Sequence, residues 1–215
     1  MRIVLMGMPG VGKGTQAERL RVEFGVPHIS TGDILRDAVR EGSALGRRVK
    51  ATLDAGELVS DELMQALIRE RLGRPDARGG FLLDGYPRTA EQLAALDAIL
   101  GALSLRLDAV LLLTASEAEI LRRLGGRRIC SGCAAVYHVD DHPPAAPGVC
   151  DRCGAALVQR EDDTERVIRA RLQLYRSRTQ PVADAYRQRG ALHEIDAAGD
   201  PAGVFARLRR ALGRT

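Results

Sequence analysis

Short apolar runs alternate with longer segments of helical periodicity along most of the chain. The apolar runs cover residues 3–6, 81–83, 107–113 and 191–195, and amphipathic stretches separate them. Buried strands that alternate with helices are typical of a parallel sheet covered by helices on both faces. The pattern therefore predicts an α/β fold, in which ligands bind at the carboxyl ends of the strands.

Two segments depart from this alternation. Residues 30–59 have the pattern of short helices broken at Gly42, Gly46 and Gly56, and we expect them to form a small flap over the sheet edge. Residues 126–163 combine Cys, Pro and Gly with little helical periodicity, which predicts a separate inserted lobe. The predicted core domain takes the remaining segments, which are 1–29, 60–125 and 164–215.

The composition is that of a folded globular domain. Of the 215 residues, 45% are hydrophobic and 28% are charged, which is enough to bury the core of one domain with insertions. No apolar run approaches the length that spans a bilayer, and the first residues form a predicted strand instead of a cleavable leader. We therefore expect a cytoplasmic protein without a membrane partner, and a monomer.

A glycine-rich run follows the first predicted strand and precedes a helical segment, with the sequence Gly7-Met8-Pro9-Gly10-Val11-Gly12-Lys13-Gly14-Thr15. Its glycines let backbone N–H groups converge on an anion, the helix N-terminus adds its dipole, and Lys13 adds a full charge. The run predicts a variant P-loop for a nucleoside triphosphate, because Gly14 follows the lysine and the hydroxyl expected near Mg²⁺ comes at Thr15. A glycine-rich turn without a ligand is the alternative.

The inserted lobe holds two Cys-x-x-Cys turns, Cys130-Ser131-Gly132-Cys133 and Cys150-Asp151-Arg152-Cys153, with sixteen residues between them. This spacing matches a tetrahedral Cys₄ zinc site. Four thiolates leave no position for water, so the metal would be structural. His138 and His142 are the alternative ligands, and iron is the alternative metal.

An acid and several arginines complete the candidate chemistry. Asp84 follows the apolar run 81–83, where a carboxylate can hold the water shell of Mg²⁺ beside a P-loop. An ordinary turn aspartate is its alternative. Phosphoryl transfer needs fixed cations, because negative charge spreads over the transferred group, and it needs no nucleophilic side chain. The arginines that should face the sheet edge are Arg88, Arg123, Arg127, Arg160 and Arg171.

These motifs together resemble the adenylate kinase family over nearly the whole chain. The signatures that carry the resemblance are the P-loop with Gly14-Thr15, Ser30-Thr31-Gly32-Asp33 and Asp84-Gly85-Tyr86-Pro87-Arg88, in that order. The four cysteines resemble the zinc-bearing lid of many bacterial members. The resemblance implies a three-layer P-loop fold with a parallel sheet flanked by helices, an NMP-binding flap at 30–59 and a zinc-bearing lid at 126–163. Tyr86 stands where many members have Phe.

The resemblance implies an activity and a substrate for each site. MgATP and AMP would give two ADP reversibly, which serves adenine nucleotide homeostasis. Lys13, Asp84, Arg88, Arg123, Arg127, Arg160 and Arg171 would be catalytic. ATP would contact Gly10, Val11, Gly12, Lys13, Gly14, Thr15, Arg127, Val136, Tyr137 and Gly199. AMP would contact Thr31, Arg36, Glu57, Leu58, Val59, Gly85, Tyr86, Pro87, Arg88, Gln92, Arg160 and Arg171.

Three alternatives to this function remain open from the sequence. The same chemistry could act on another nucleoside monophosphate. The net charge of +4 and the paired cysteines also suit a zinc-ribbon module for nucleic acid, although aromatic residues for base stacking make up only 3% of the chain. A switch GTPase is the third, but the chain contains no Asn-Lys-x-Asp motif. We expect nucleotides to be the partners, and no nucleic acid.

Overall fold

The computed structural model describes residues 1–214 and contains two sheets. The strands are β1 Arg2–Gly7, β2 His28–Ser30, β3 Phe81–Asp84, β4 Ala109–Thr114, β5 Arg127–Cys130, β6 Val136–His138, β7 Leu157–Val158 and β8 Leu192–Asp196. The central sheet has five parallel strands in the order β2-β3-β1-β4-β8. The smaller sheet is antiparallel, in the order β6-β5-β7.

Helices cover both faces of the central sheet, because consecutive parallel strands need crossover connections. The helices are α1 Lys13–Phe24, α2 Thr31–Arg40, α3 Ala44–Asp54, α4 Asp61–Leu72, α5 Ala90–Ala102, α6 Glu117–Gly126, α7 Glu165–Leu174, α8 Gln180–Gln188 and α9 Pro201–Ala211. Short helical turns lie at Pro75–Ala77 and Glu161–Asp163, and a π-helical turn at Tyr175–Thr179 joins α7 to α8. The predicted α/β architecture is confirmed.

Strand β1 lies at the centre of the sheet, and its side chains alternate between two apolar cores. Ile3 and Leu5 pack into one core with residues of α1 and α9, whereas Val4 and Met6 pack into the other with residues of α4 and α5. All four side chains are almost fully buried. The uninterrupted apolar run of β1 thus reflects burial on both faces, as expected for a central parallel strand.

The apolar runs 3–6, 81–83, 107–113 and 191–195 each coincide with a strand of the central sheet. The sequence pattern missed β2, which has three residues and pairs only with β3 at the sheet edge. A run this short shows no periodicity, so its strand conformation depends on hydrogen bonds to β3.

The expected helix break at Gly46 is wrong. Gly46 lies inside α3, which begins after Ser43, whereas Gly42 lies between α2 and α3 and Gly56 follows the end of α3. The Ser43 hydroxyl accepts a hydrogen bond from the Gly46 N–H and so caps the helix. A Cβ at Gly46 would lie 2.0 Å from the carbonyl oxygen of Ala38. The glycine therefore serves close packing of α2 on α3.

The carboxyl ends of the parallel strands meet at one edge of the central sheet. There β1 runs into the glycine-rich loop before α1, and β3 ends at Asp84. The segment with α2 and α3 and the segment with the small sheet are both inserted in the connections at this edge. Within residues 1–214, no helix combines the length and the apolar character needed to cross a membrane.

Candidate active site

The loop from β1 to α1 has the geometry of a phosphate cradle. Gly10 and Gly12 have φ of 81° and 103°, in the left-handed region that favours glycine. A Cβ on Gly10 would lie 2.5 Å from Cγ of Leu124, so this glycine also allows α6 to approach the loop. Gly14 and Thr15 are exposed in the first turn of α1, where backbone N–H groups have no partner within the helix.

Lys13 is folded back over the loop that it ends. Its Nζ donates hydrogen bonds to the carbonyl oxygens of Gly7, at 2.8 Å, and of Met8, at 3.1 Å. Burial lowers the pKa of Lys13 to about 8, against the attraction of Asp84 and with further lowering by Arg88 and other arginines. Burial therefore makes the ammonium charge costly in the ligand-free protein, and an anion bound beside it would offset that cost.

Asp84 ends β3 beside this cation. It is nearly buried, and its Oδ2 lies 3.4 Å from Nε2 of His28. Its backbone carbonyl accepts a hydrogen bond from the Thr31 hydroxyl, at 3.3 Å, and so does that of Gly85, at 3.1 Å. A carboxylate oxygen here, with the Thr15 hydroxyl at the start of α1, offers the oxygen ligands that Mg²⁺ prefers. The donor set thus fits a Mg²⁺ that accompanies a nucleotide.

Arg88 is held at the same edge by the backbone. Its Nε donates to the carbonyl oxygen of Gly85 at 2.7 Å, and burial lowers its pKa to about 10. A Cβ on Gly85 would lie 2.8 Å from Nη2 of Arg88 and 2.7 Å from Oγ1 of Thr31, so Gly85 allows both side chains to come close. No carboxylate in residues 1–214 forms an ion pair with Arg88, which leaves its charge available to a ligand.

Two acidic residues orient two of the predicted arginines. Nε and Nη2 of Arg127 donate to the two carboxylate oxygens of Asp163, at 2.7 and 2.5 Å, and the Asp163 side chain is fully buried. Nη1 of Arg171 donates to Asp162 Oδ2 at 2.9 Å. The bidentate pair with Asp163 fixes the guanidinium plane of Arg127. The sequence indicates neither acid as an arginine partner: Arg127 and Asp163 are 36 residues apart, so no local spacing marks their pair.

Arg160 and Arg123 lie in different electrostatic surroundings. Burial, together with the neighbouring Arg36 and Arg127, lowers the pKa of Arg160 to about 10. Arg123 instead donates to Glu119 Oε1 at 2.6 Å and to the carbonyl oxygens of Val11 at 3.1 Å and Ala197 at 2.9 Å. It thus ties α6 to the P-loop and to the turn after β8.

A cavity lies between the sheet edge and the segment with α2 and α3. It brings together most of the residues expected around AMP, and its lining includes Thr31, Arg36, Glu57, Leu58, Val59, Gly85, Arg88, Gln92 and Arg171. Arg36 is paired with Asp33 at 2.6 Å. Such a lining combines an apolar side for a base with guanidinium groups for a phosphate.

A second cavity adjoins the first and extends to the P-loop. Its lining includes Lys13, Gly85, Tyr86, Pro87, Arg88 and Arg171. Arg88 and Arg171 line both cavities, so they lie where two ligands would meet. The arrangement can hold two phosphate chains end to end among fixed cations.

Of the ten residues expected to contact ATP, only Lys13 lines one of these two cavities. Three of the other nine, Val136, Tyr137 and Gly199, also lie apart from the P-loop in the sequence. Val136 is 53% exposed on the small sheet. Tyr137 is nearly buried, and its hydroxyl lies 3.5 Å from the Cys150 sulfur and accepts a hydrogen bond from the Asp151 N–H at 2.9 Å. Gly199 lies in the turn between β8 and α9, with φ of 88° and no atom near the position of its missing Cβ.

The four cysteines form one cluster beside the small sheet. Their sulfur atoms all lie within 4.8 Å of one another, with Cys130 to Cys153 at 3.3 Å and Cys133 to Cys150 at 3.6 Å. A tetrahedral zinc ion with Zn–S bonds of about 2.3 Å requires sulfur atoms about 3.8 Å apart, so the spacing fits. Backbone N–H groups of Gly132 and Arg152 point at the sulfurs of Cys130 and Cys150.

The histidines of the lobe are engaged elsewhere. His138 Nδ1 accepts hydrogen bonds from the N–H groups of Asp140 and Asp141, and its Nε2 lies 3.3 Å from the carbonyl oxygen of Arg122. The ring of His142 stacks on Tyr137, with centroids 5.5 Å apart. The cluster that can hold a metal in the described part of the chain consists of cysteines alone.

Comparisons with known proteins point to one family. The family model described as adenylate kinase matches residues 5–191. The chain is 50% identical to the adenylate kinase of Moorella thermoacetica over 214 residues, which cover 100% of this chain and 99% of the relative. It is 47% identical to that of Anaeromyxobacter dehalogenans, with 100% of both chains covered. It is 48% identical to that of Bacillus licheniformis, with 99% of this chain and 98% of the relative covered.

Proposed function

The chain belongs to the adenylate kinase family, and on this basis we propose how its residues transfer the terminal phosphoryl group of ATP to AMP. The enzyme is an ATP:AMP phosphotransferase that uses ATP with Mg²⁺ and forms two ADP reversibly. The observation that carries our proposal is the row of cations, Lys13, Arg88 and Arg171, along two adjoining cavities. Two phosphate chains that meet there present crowded negative charge, which fixed cations neutralise.

On the donor side, we assign the ATP phosphates to the backbone N–H groups of residues 10–15. Lys13 then leaves the carbonyl oxygens of Gly7 and Met8 for the transferred group, whose negative charge stabilises the ammonium. Arg123 stabilises the P-loop by its hydrogen bond to the carbonyl oxygen of Val11. Arg127, whose guanidinium plane is fixed by Asp163, binds the phosphates from the opposite side. In this proposal Val136, Tyr137 and the turn at Gly199 lie around the ATP base.

On the acceptor side, we assign the AMP phosphate to Arg36 and Arg88, and the base to Gln92 and the segment 57–59. Thr31 and the turn of Gly85, Tyr86 and Pro87 shape this site. Arg160 and Arg171 reach the phosphates of both nucleotides. The acceptor oxygen belongs to a phosphate that is already ionised at neutral pH, so no side chain has to act as a base.

We assign Asp84 and Thr15 to the Mg²⁺ that arrives with ATP. When bound, the ion neutralises charge on the phosphate chain and polarises the transferred group. The negative charge of Asp84 also attracts the ammonium of Lys13, which helps to hold the two side chains near each other.

We assign structural zinc to Cys130, Cys133, Cys150 and Cys153. The apolar cluster of the lobe contains only Cys130, Ala135, Tyr137 and Cys150, with Ala155 and Leu157 packed against it. Such a small core contributes little folding free energy, which ligation of a metal supplies in many small domains.

We further propose that residues 30–59 act as the flap and residues 126–163 as the lid around the core domain. Their closure would expel water, so that the arginines act at low dielectric and ATP is not lost to hydrolysis. Lys50 of the flap lies 3.5 Å from Glu161 at the base of the lid, but both side chains are exposed, so this ion pair adds little. We expect a cytoplasmic monomer whose partners are ATP, AMP and ADP.

A panel of nucleoside monophosphates tests the substrate. ADP formation from MgATP is measured with AMP, GMP, UMP and CMP in turn, on protein whose bound metal has been quantified. We expect AMP to have the highest kcat/KM, because all named relatives are adenylate kinases. Activity confined to UMP or CMP contradicts this assignment.

A further inference from the structure

The cavity assigned above to AMP, here called the acceptor cavity, is lined by Met64 of α4 and Gln92 of α5, among others, and Asp61 joins these two helices. It is the first residue of α4, and its carboxylate faces α5 instead of capping its own helix. One oxygen accepts a hydrogen bond from Nε2 of Gln92 at 2.7 Å, and the other accepts one from the Thr89 hydroxyl at 3.1 Å. Thr89 in turn accepts the backbone N–H of Gln92 at 3.1 Å and caps α5.

These contacts determine which way the Gln92 amide faces. Its other amide atom, Oε1, accepts the backbone N–H of Arg88 at 2.8 Å. A backbone N–H can only donate and a carboxylate can only accept, so the oxygen must face Arg88 and the nitrogen must face Asp61. Rotating the amide by 180° would set oxygen against carboxylate and N–H against N–H. Gln92 is 2% exposed, so water cannot compensate for that mismatch.

The orientation matters for the choice of base. After these two bonds, Gln92 retains one N–H on Nε2 and one lone pair on Oε1, and it lines the acceptor cavity. Adenine presents an N6–H donor beside the N1 acceptor, which matches a carbonyl beside an N–H. A 6-oxopurine reverses both positions, with an O6 acceptor beside an N1–H donor, and matches only the rotated amide.

We propose that Asp61 is a positioning residue that selects adenine over 6-oxopurines in the acceptor site, by holding the Gln92 amide in the orientation that pairs with adenine. This inference rests on the proposed role of Gln92 in base recognition. Asp61 does not touch the substrate, and its effect passes through Gln92.

The test compares AMP with inosine monophosphate, whose base differs from adenine at the reversed positions and lacks the 2-amino group of guanine. The AMP:IMP ratio of kcat/KM is measured for the parent and for Asp61→Ala, Asp61→Asn, Gln92→Ala and Glu62→Ala. We expect the ratio to fall about tenfold or more in Asp61→Ala, since a correctly paired base edge is worth that much discrimination. Asp61→Asn keeps the shape but tolerates either amide orientation, so its ratio should fall less.

The change should reside in KM for the monophosphates, while KM for ATP stays within about twofold of the parent. A merely structural effect would lower kcat/KM equally for AMP and for IMP, and so leave their ratio unchanged. Glu62→Ala removes a neighbouring, exposed acid from the same helix turn and should keep the parental ratio. If Asp61→Ala does not fold, Asp61→Asn decides the question.

The variants distinguish the role of Asp61 from that of Gln92. A lower ratio in Gln92→Ala with a parental ratio in the folded Asp61 variants overturns the role of Asp61 but keeps that of Gln92. A parental ratio in Gln92→Ala overturns the assignment of Gln92 to the base, and the inference on Asp61 fails with it.

Discussion

Lys13 lies partly buried at the end of the P-loop, among cations and opposite Asp84. Burial is the main reason that its pKa falls from 10.5 to about 8. A lysine whose pKa is lower in the folded chain binds fewer protons there than in the unfolded chain, so its contribution to the free energy of unfolding rises with pH between about 8 and 10.5. Below that window the charge costs the ligand-free protein at most about 3 kcal/mol.

Lys13→Met should therefore separate stability from activity. In the nucleotide-free protein, the free energy of unfolding of the parent relative to the variant should rise as pH increases from 8 to 10.5. The rate of ADP formation should fall by about a hundredfold or more, because a fixed cation on the transferred group is lost. Urea unfolding at several pH values and a coupled assay measure the two effects.

Lys50→Met is the matched control for this lysine. Lys50 is exposed and pairs with Asp54 at 2.8 Å, away from both cavities. The variant should keep the parental rate within about twofold, since exposed pairs contribute little. Undiminished ADP formation by Lys13→Met would contradict the proposed role of Lys13 on the transferred group.

At the scale of elements, contacts between helices decide where glycine is required. Gly46 lies in the first turn of α3 against the backbone of α2, where a Cβ would come within 2.0 Å of the Ala38 oxygen. Gly101 lies near the end of α5 with no atom within 4 Å of the Cβ position. Glycine is therefore required by packing at position 46 and not at position 101.

Gly46→Ala should destabilise the segment with α2 and α3, while Gly101→Ala should not. We expect the first substitution to cost about 1–3 kcal/mol, because the helices must move apart. The second should stabilise the protein by up to about 1 kcal/mol, since alanine is the better helix former. Thermal unfolding of both variants measures this, and equal shifts in the same direction would refute the packing role of Gly46.

At the scale of the whole molecule, the two inserted segments differ in what stabilises them. The segment with α2 and α3 packs residues such as Leu35 and Val49 into the core on one face of the central sheet. The cysteine-bearing lobe has its own small cluster around Cys130 and Tyr137. Its stability should therefore depend on the proposed metal more than on apolar burial.

Removal of the metal should loosen this lobe and leave the central sheet intact. Protein treated with a chelator should melt at a lower temperature and be cleaved by protease within residues 126–163, while its far-ultraviolet circular dichroism retains the signal of the core. Restored zinc should reverse both effects. An unchanged melting curve after verified loss of metal would mean that the lobe folds unaided.

Local patterns in the sequence predicted much of this molecule. Four strands of the central sheet coincide with apolar runs, since burial on both faces leaves a continuous signal. The P-loop and the Cys-x-x-Cys turns depend on spacings of a few residues, so their geometry is encoded locally. Most residues expected around AMP line one cavity. The roles of these residues were assigned from the resemblance to the family, and they stay proposals.

Other features arose only from contacts between distant parts of the chain. Strand β2 exists because β3 lies beside it, and α3 requires glycine at position 46 because the backbone of α2 occupies the space of a Cβ. Asp163 orients Arg127 from 36 residues away, and Asp61 orients Gln92 from 31 residues away. No local pattern records these pairs, because the free energy of a buried hydrogen bond depends on which groups the fold brings together.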